Sequence, residues 1–242
     1  MGSAAASGPC SPWQAGVCRG RVKLTTGGRS VNVCTREYEF LLPARTVRLL
    51  VVSNTEELIT DPSDEEAVPC WAELWPAARA LAAYIWKHLD FAGATVLELG
   101  CGLGLPGVVC GLKGARVTFS DRRPEALALA VENASRNGVT AGTLLADWRA
   151  FRTDRSFDCI VGSDICYDPK LNPHLREIFR RHLKPGGRLL LAQPHRPAAR
   201  ALLEELSAAE FATVRRTTVP VLTEGELLPY HEIHVDELFR RS

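Results

Sequence analysis

The residues best equipped for chemistry fall in a few short stretches, and the densest is Val96-Leu97-Glu98-Leu99-Gly100-Cys101-Gly102-Leu103-Gly104-Leu105-Pro106-Gly107. Here an apolar run meets a glycine-rich turn that opens a helix. Such a turn lets the main chain approach a ligand closely and aims backbone N–H groups at it, which suits a nucleotide-type molecule. Glycines that merely permit tight packing are the competing reading. Gly102-x-Gly104-x-x-Gly107 also fits the dinucleotide fingerprint, with Asp121, seventeen residues after Gly104, as the ribose acceptor. Glu98 argues against a dinucleotide. At the strand end it would repel a pyrophosphate and suit a cationic group, directly or through water. Asp121 can accept from both hydroxyls of any ribose and does not discriminate. Asp147-Trp148 offers a carboxylate to an adenine amino group and a ring beside the base.

A second constellation is Ser163-Asp164-Ile165-Cys166-Tyr167-Asp168, directly after the apolar run Cys159-Ile160-Val161-Gly162. Ligands of open α/β sheets bind outside the carboxyl ends of the strands, so Asp164 and Tyr167 are placed to line a pocket. The structural alternative is that Asp164 caps a following helix and Tyr167 packs. His195 and Arg196 read more simply as loop residues, and Trp71 and Trp86 as helix-face or core aromatics.

These groups need elements to hold them. Helix-like spacing runs over 76–89, 105–113, 124–137, 172–183 and 197–209, with Pro76, Pro124 and Pro197 at helix starts and Gly138 past one end. Strand-like runs cover 95–99, 116–120, 143–146, 157–163 and 188–192, the last preceded by the breaker Pro185-Gly186-Gly187. The alternation predicts βαβ units, a mainly parallel sheet and helices on both faces. Runs 213–221 and 231–238 have no helix between them and should pair as an antiparallel hairpin at the sheet edge. Before all this lie a leader (1–16) and a β-rich extension with an acidic loop (17–69). In the extension, Thr25-Thr26-Gly27-Gly28 suggests a hairpin turn, and 47–52 a further strand.

Composition narrows the classes. The 242 residues carry 29 Lys+Arg against 28 Asp+Glu, a net charge of +1, and 46% are hydrophobic. That is enough apolar material for a core and too little basic excess for a phosphate-tracking surface, so no nucleic-acid partner is expected. No apolar run reaches membrane-span length, and no membrane association is expected. The eight cysteines include no Cys-x-x-Cys pair, and the chain opens without a basic start and an apolar core of a secretory signal. Buried or incidental thiols, no metal site and a cytoplasmic, monomeric protein are the expectation.

Read as Glu98-x-Gly100-x-Gly102-x-Gly104, the loop resembles the first motif of class I S-adenosylmethionine-dependent methyltransferases. Together with Trp75-Pro76-Ala77, Leu105-Pro106-Gly107, Asp147-Trp148, Asp164-Ile165-Cys166-Tyr167 and His231-x-Ile233-x-Val235-x-x-Leu238, it is similar to the seven-β-strand methyltransferases of family 16, the protein-lysine methyltransferase-like group. The similarity spans roughly residues 70–239, which makes 70–242 the expected catalytic domain. It implies a Rossmann-like seven-stranded sheet, S-adenosylmethionine as cofactor and a lysine of a protein as acceptor. It places Trp75 near the cofactor, Glu98, Gly100, Gly102 and Gly104 around its methionine part, Asp121 on the ribose, and Asp147, Trp148 and Ser163 beside the base and pocket. Asp164 and Tyr167 would border the transfer site. The segment Gln193-Pro194-His195-Arg196-Pro197 varies with substrate in such enzymes and assigns none. A small-molecule N- or O-methyltransferase, or a non-catalytic S-adenosylmethionine-binding module, are the alternative functions.

Overall fold

The computed structural model describes residues 20–26, 29–59, 68–223 and 230–241; the expected leader and most of the acidic loop lie outside them. Two sheets form. The larger is built from β4 (Thr95–Leu99), β5 (Arg116–Asp121), β6 (Ala141–Leu145), β7 (Phe157–Ser163), β8 (Leu183–Gln193), β9 (Phe211–Leu222) and β10 (Tyr230–Arg240). Their order is β6-β5-β4-β7-β8-β10-β9. Every pairing is parallel except those of β10, which runs antiparallel to both β8 and β9. The expected seven-stranded, mainly parallel sheet with its terminal antiparallel hairpin is present.

Five helices connect the strands: α1 (Pro76–His88), α2 (Leu105–Leu112), α3 (Pro124–Arg136), α4 (Asn172–His182) and α5 (Pro197–Ala209). Each has a proline in its first two positions, where the missing N–H removes no intrahelical bond. The strands are apolar on both faces, and successive residues feed opposite cores. Val96, Val161, Leu190 and Val235 pack with α1, α2 and α3, whereas Leu97, Ile160, Leu189 and Leu238 pack with α4 and α5. At the amino ends of β4 and β7, Asp158 accepts from Thr95 N (2.8 Å) and takes Lys184 Nζ (2.8 Å), which fixes their pairing. The Lys184 ammonium and the Thr95 donors hold the Asp158 carboxyl down at about 2.

The strand after α4 departs from expectation. Pro185-Gly186-Gly187 does not precede β8 but lies inside it, in an excursion where the pairing with β7 shifts register between Phe157 and Cys159. Gly186, at φ +71°, supplies the left-handed turn that the excursion needs.

The extension forms an antiparallel sheet, β1 (Gly20–Thr26), β2 (Arg29–Leu42) and β3 (Arg45–Val52). β2 continues to Leu42, with Glu37, Glu39 and Leu41 alternating outward while Tyr38 and Phe40 turn toward the core. The sheet lies on the outer side of the α1–α3 layer, its Val47, Leu49 and Leu50 joining that core. Two asparagines, Asn133 in α3 and Asn137 just past its end, continue its ladder. Asn133 exchanges hydrogen bonds with Leu50 N and O, and Asn137 with Arg48 N and O. The thiol expectation holds for Cys70, Cys101, Cys110, Cys159 and Cys166, which are free, but Cys34 on β2 is disulfide-bonded. A disulfide depends on proximity in the fold, which sequence distance does not show.

Candidate active site

The chain goes β4, β5, β6 outward in one direction and returns to place β7 on the other side of β4. Where the order reverses, the loops after β4 and β7 part and leave a crevice at the strands' carboxyl ends. A cavity of about 550 Å³ opens there, lined by Gly100–Leu105, Asp121, Asp147, Trp148, Ser163, Asp164 and Tyr167, with Trp71 and Trp75 on its outer side.

The glycine loop is bare backbone against this cavity. Gly100 has φ +61°, and a Cβ there would stand 3.0 Å from both Trp148 Cζ2 and Ile165 Cγ2. A side chain would therefore displace the ring that walls the site. The loop is tied down by Cys101 N donating to Ser120 O (3.0 Å) and Gly102 N donating to Asp121 Oδ2 (3.1 Å). The other Asp121 oxygen accepts from Arg123 N at 2.9 Å. Burial pushes the Asp121 carboxyl above the usual aspartate range, opposed by those N–H donors.

Glu98 sits differently from the sequence expectation. It is fully buried beneath the loop and is absent from the cavity wall. Its Oε2 accepts from Gly107 N (2.8 Å), while Oε1 has no hydrogen-bond partner. Burial raises its carboxyl well above the ordinary glutamate range, and the nearby Asp121 charge adds to this. The reason is register: alternate residues of β4 face opposite layers, and Glu98 shares the α2 side with Val96. It satisfies a first-turn N–H of α2 where the N-cap, Gly104, has no side chain to do so. In this geometry Glu98 holds the start of α2 through Gly107 N and does not line the cavity.

Asp147 caps the turn Trp148–Ala150 by accepting from Arg149 N (2.8 Å), which orients Trp148 over Gly100. Trp75 is 39% exposed and anchored by Nε1 donating to Cys70 O (2.8 Å). Tyr167 is 52% exposed at the rim, its ring 6.4 Å from that of Trp148.

Asp164 has φ +53°, a left-handed conformation that aspartate tolerates better than most side chains. Its N–H donates to Ala192 O (2.7 Å), and the twist aims its carboxylate at Arg196, which binds both oxygens (2.6 and 2.8 Å). The capping role weighed for Asp164 belongs instead to Asp168, which accepts from Lys170 N (2.9 Å) at the turn Pro169–Leu171. Arg196, read from sequence as a loop residue, and Trp71, read as a helix-face or core aromatic, both lie on the cavity wall. For Arg196 the available signal was its position just past the carboxyl end of a strand. For Trp71 there was none, since its backbone carbonyl, 3.0 Å from where a Gly102 Cβ would be, makes the close approach. Among the described residues no cluster of three or more His, Cys, Asp or Glu could hold a metal.

Comparison with known proteins agrees with this geometry. A family model described as a methyltransferase domain matches residues 96–187. The histidine protein methyltransferase 1 homolog of Dictyostelium discoideum is 33% identical over 128 residues, covering 50% of this chain and 41% of that protein. EEF1A lysine methyltransferase 3 of Mus musculus is 31% identical over 131 residues, covering 52% of this chain and 56% of that protein. The chain thus spans about half the length of the curated relatives it matches. Among solved structures, the N-methyltransferase NodS from Bradyrhizobium japonicum with S-adenosyl-L-homocysteine has the same fold, with a TM-score of 0.57, 18% identity, and coverage of 78% of this chain and 97% of that one. Residues 96–187 are thus similar to a methyltransferase domain, and the chain shares its fold with that N-methyltransferase.

Proposed function

We propose that the protein transfers a methyl group from S-adenosylmethionine to a side-chain nitrogen of another protein, a lysine first. The residues present fit that cofactor: a cavity of about 550 Å³, a bare Gly100 backbone under an aromatic wall, and a buried carboxylate at the loop. Asp121 would take the ribose hydroxyls, Trp148 the adenine face, Asp147 and Ser163 the neighbouring polar edge, and the Gly100, Gly102 and Gly104 backbone the methionine part, with Trp75 closing one side. Residues 70–242 would form the catalytic unit and 17–69 an extension behind a leader. When bound, the cofactor supplies an activated sulfonium methyl, which passes to the acceptor lone pair while the C–S bonding electrons stay on sulfur.

The observation that supports a protein acceptor is the exposed rim among the described residues. No described residue of β1–β3 lines the cavity, and the rim residues Tyr167 and Trp75 are 52% and 39% exposed. A small metabolite would call for a roof; a side chain on a macromolecule needs a way in from outside. The chain's own groups must then align the acceptor and exclude water. A lysine must also arrive neutral, which for a model value of about 10.4 costs on the order of 4–5 kcal/mol at pH 7. A lone Asp164 carboxylate would hold the ammonium charged. Paired with Arg196 it presents no net charge, so it orients the acceptor without pinning the proton, while Tyr167 shapes the channel. The same neutrality suits a histidine acceptor, whose imidazole is largely uncharged at pH 7.

Arg196→Gln should therefore move the pH profile of methyl transfer upward by about one unit, the size of effect a neighbouring charge exerts. Rates measured from pH 6 to 9.5 check this, and an unmoved profile would reduce Arg196 to a structural role. Incubating lysate of the source cell with radiolabelled S-adenosylmethionine and the protein, then running a gel, tests the function itself. A labelled protein band, hydrolysed to identify the methylated residue, is the expected result; label only in low-mass material would sink the reading. No described helix is long and apolar enough to cross a membrane. A net charge of +1 leaves no basic excess for tracking phosphates, and a cytoplasmic, monomeric enzyme without nucleic-acid or membrane partners stays part of this proposal.

A further inference from the structure

Among the described residues, three side chains hold the glycine loop and the helix start it opens. Two of them, Glu98 and Asp121, belong to the strands on either side of it. The third is Asn133 on α3, fully buried, whose Nδ2 donates to Leu103 O at 2.9 Å. That same Nδ2 donates to Leu50 O (3.1 Å), and Oδ1 accepts from Leu50 N (2.7 Å). An amide has two N–H donors, and here each serves a different segment of the chain. One turn further on, Asn137 makes the equivalent exchange with Arg48 N and O at 3.0 and 2.7 Å, but its remaining bond returns to Asn133 O within α3. The two asparagines thus dock β3 alike, and only Asn133 also grips the loop.

α3 supports the loop from below as well. Ala130, one turn before Asn133, stands so close to Gly104 that a Cβ there would be 2.8 Å from its own. Leu103 is 2% exposed and lies in the core that also takes in Leu49 and Leu50. Loop, helix and β3 are therefore one packed unit, although no described residue of β3 reaches the cavity.

We propose that Asn133 is a positioning residue for the cofactor loop, through which the N-terminal sheet sets cofactor affinity by bracing Leu103 instead of covering the acceptor mouth. The inference rests on the reading of the loop as the S-adenosylmethionine site, and needs neither the acceptor nor transfer to be known. Binding of S-adenosyl-L-homocysteine holds the loop in one conformation; the free energy of doing so is smaller when Asn133 has already fixed it. By linkage, the ligand should in turn tighten the contact between Asn133 and β3.

The full-length protein supplies both tests. Titration calorimetry with S-adenosyl-L-homocysteine should show Asn133→Ala binding about tenfold more weakly, equivalent to about 1.4 kcal/mol. Asn137→Ala should stay within about twofold of the unaltered protein, even where its Tm falls as much. Equal weakening in both variants, or none in Asn133→Ala, would overturn the proposal. Amide hydrogen exchange on the unaltered protein covers the case in which Asn133→Ala does not fold. Saturating S-adenosyl-L-homocysteine should slow exchange at Leu50, whose N–H is held by Asn133, more than at Arg48, whose N–H is held by Asn137. Equal slowing at the two amides, or no change at Leu50 with ligand bound, counts against it. Failure of the unaltered protein to bind the ligand at all would instead overturn the cofactor site, and this inference with it.

Discussion

Asp121→Ala is expected to weaken S-adenosyl-L-homocysteine binding by about 10²- to 10⁴-fold. The carboxylate, 7% exposed, ends β5 inside the cavity wall and would accept from both ribose hydroxyls. Hydrogen bonds to a charged group contribute about 1.5–3 kcal/mol each, so two amount to about 3–6 kcal/mol, which gives the stated range. The alanine also leaves the Gly102 and Arg123 N–H groups without their acceptors, and so loosens the loop itself. Asp121→Asn should fall between, since its carbonyl oxygen can accept but its amino group faces donors. The carboxyl is also raised by burial, so acidification should reduce affinity at a higher pH than an ordinary aspartate would allow. The sign follows because only the ionised form offers all its lone pairs to hydroxyl donors. Calorimetry at pH 5 and 7.5 checks both points, and the Asn variant should lose most of the difference between the two pH values.

Gly104→Ala is expected to lower stability by about 2–5 kcal/mol. Gly104 is the N-cap of α2 with φ +77°, and its added Cβ would lie 2.8 Å from Ala130 Cβ and 3.1 Å from Phe119 Cε1. The left-handed backbone costs an alanine about 1–2 kcal/mol. Overpacking against a helix and a buried ring adds about 1–3 kcal/mol. For a chain of this size each kcal/mol lowers Tm by about 2–4 °C, so calorimetric melting should drop by roughly 5–20 °C. Gly138→Ala is the control. It has nearly the same φ, +75°, with nothing within 4 Å of an added Cβ, so only the backbone strain remains. Equal losses for the two variants would show that the packing of α3 against the loop contributes little.

Much of the architecture was legible because its causes are local. Proline in a first helical turn, glycine past a helix end and the two-residue alternation of a strand act within a few residues. Hence the five helices and the succession of sheet strands along the chain were readable, with ends off by a few residues. Where local signals met a tertiary contact, the contact prevailed. Pro185-Gly186-Gly187 reads as a break, yet pairing with β7 on either side of it carries β8 through. Glu98 has the sequence of a ligand contact, yet the register of β4 turns it under the loop toward the N–H of Gly107.

The sequence by itself determined the nucleotide-type loop, the alternating α/β order that places it at a strand's carboxyl end, and the residue types around it. Those follow from glycine's backbone freedom and from side-chain periodicity, which are properties of neighbours along the chain. The tertiary structure alone decided which charges meet. Arg196 lies 32 residues from Asp164 and Asn133 lies 83 from Leu50, and no spacing rule connects them. Whether an aspartate faces the site alone or already paired is settled only when the ends of β7 and β8 come side by side. That pairing determines the charge an acceptor meets.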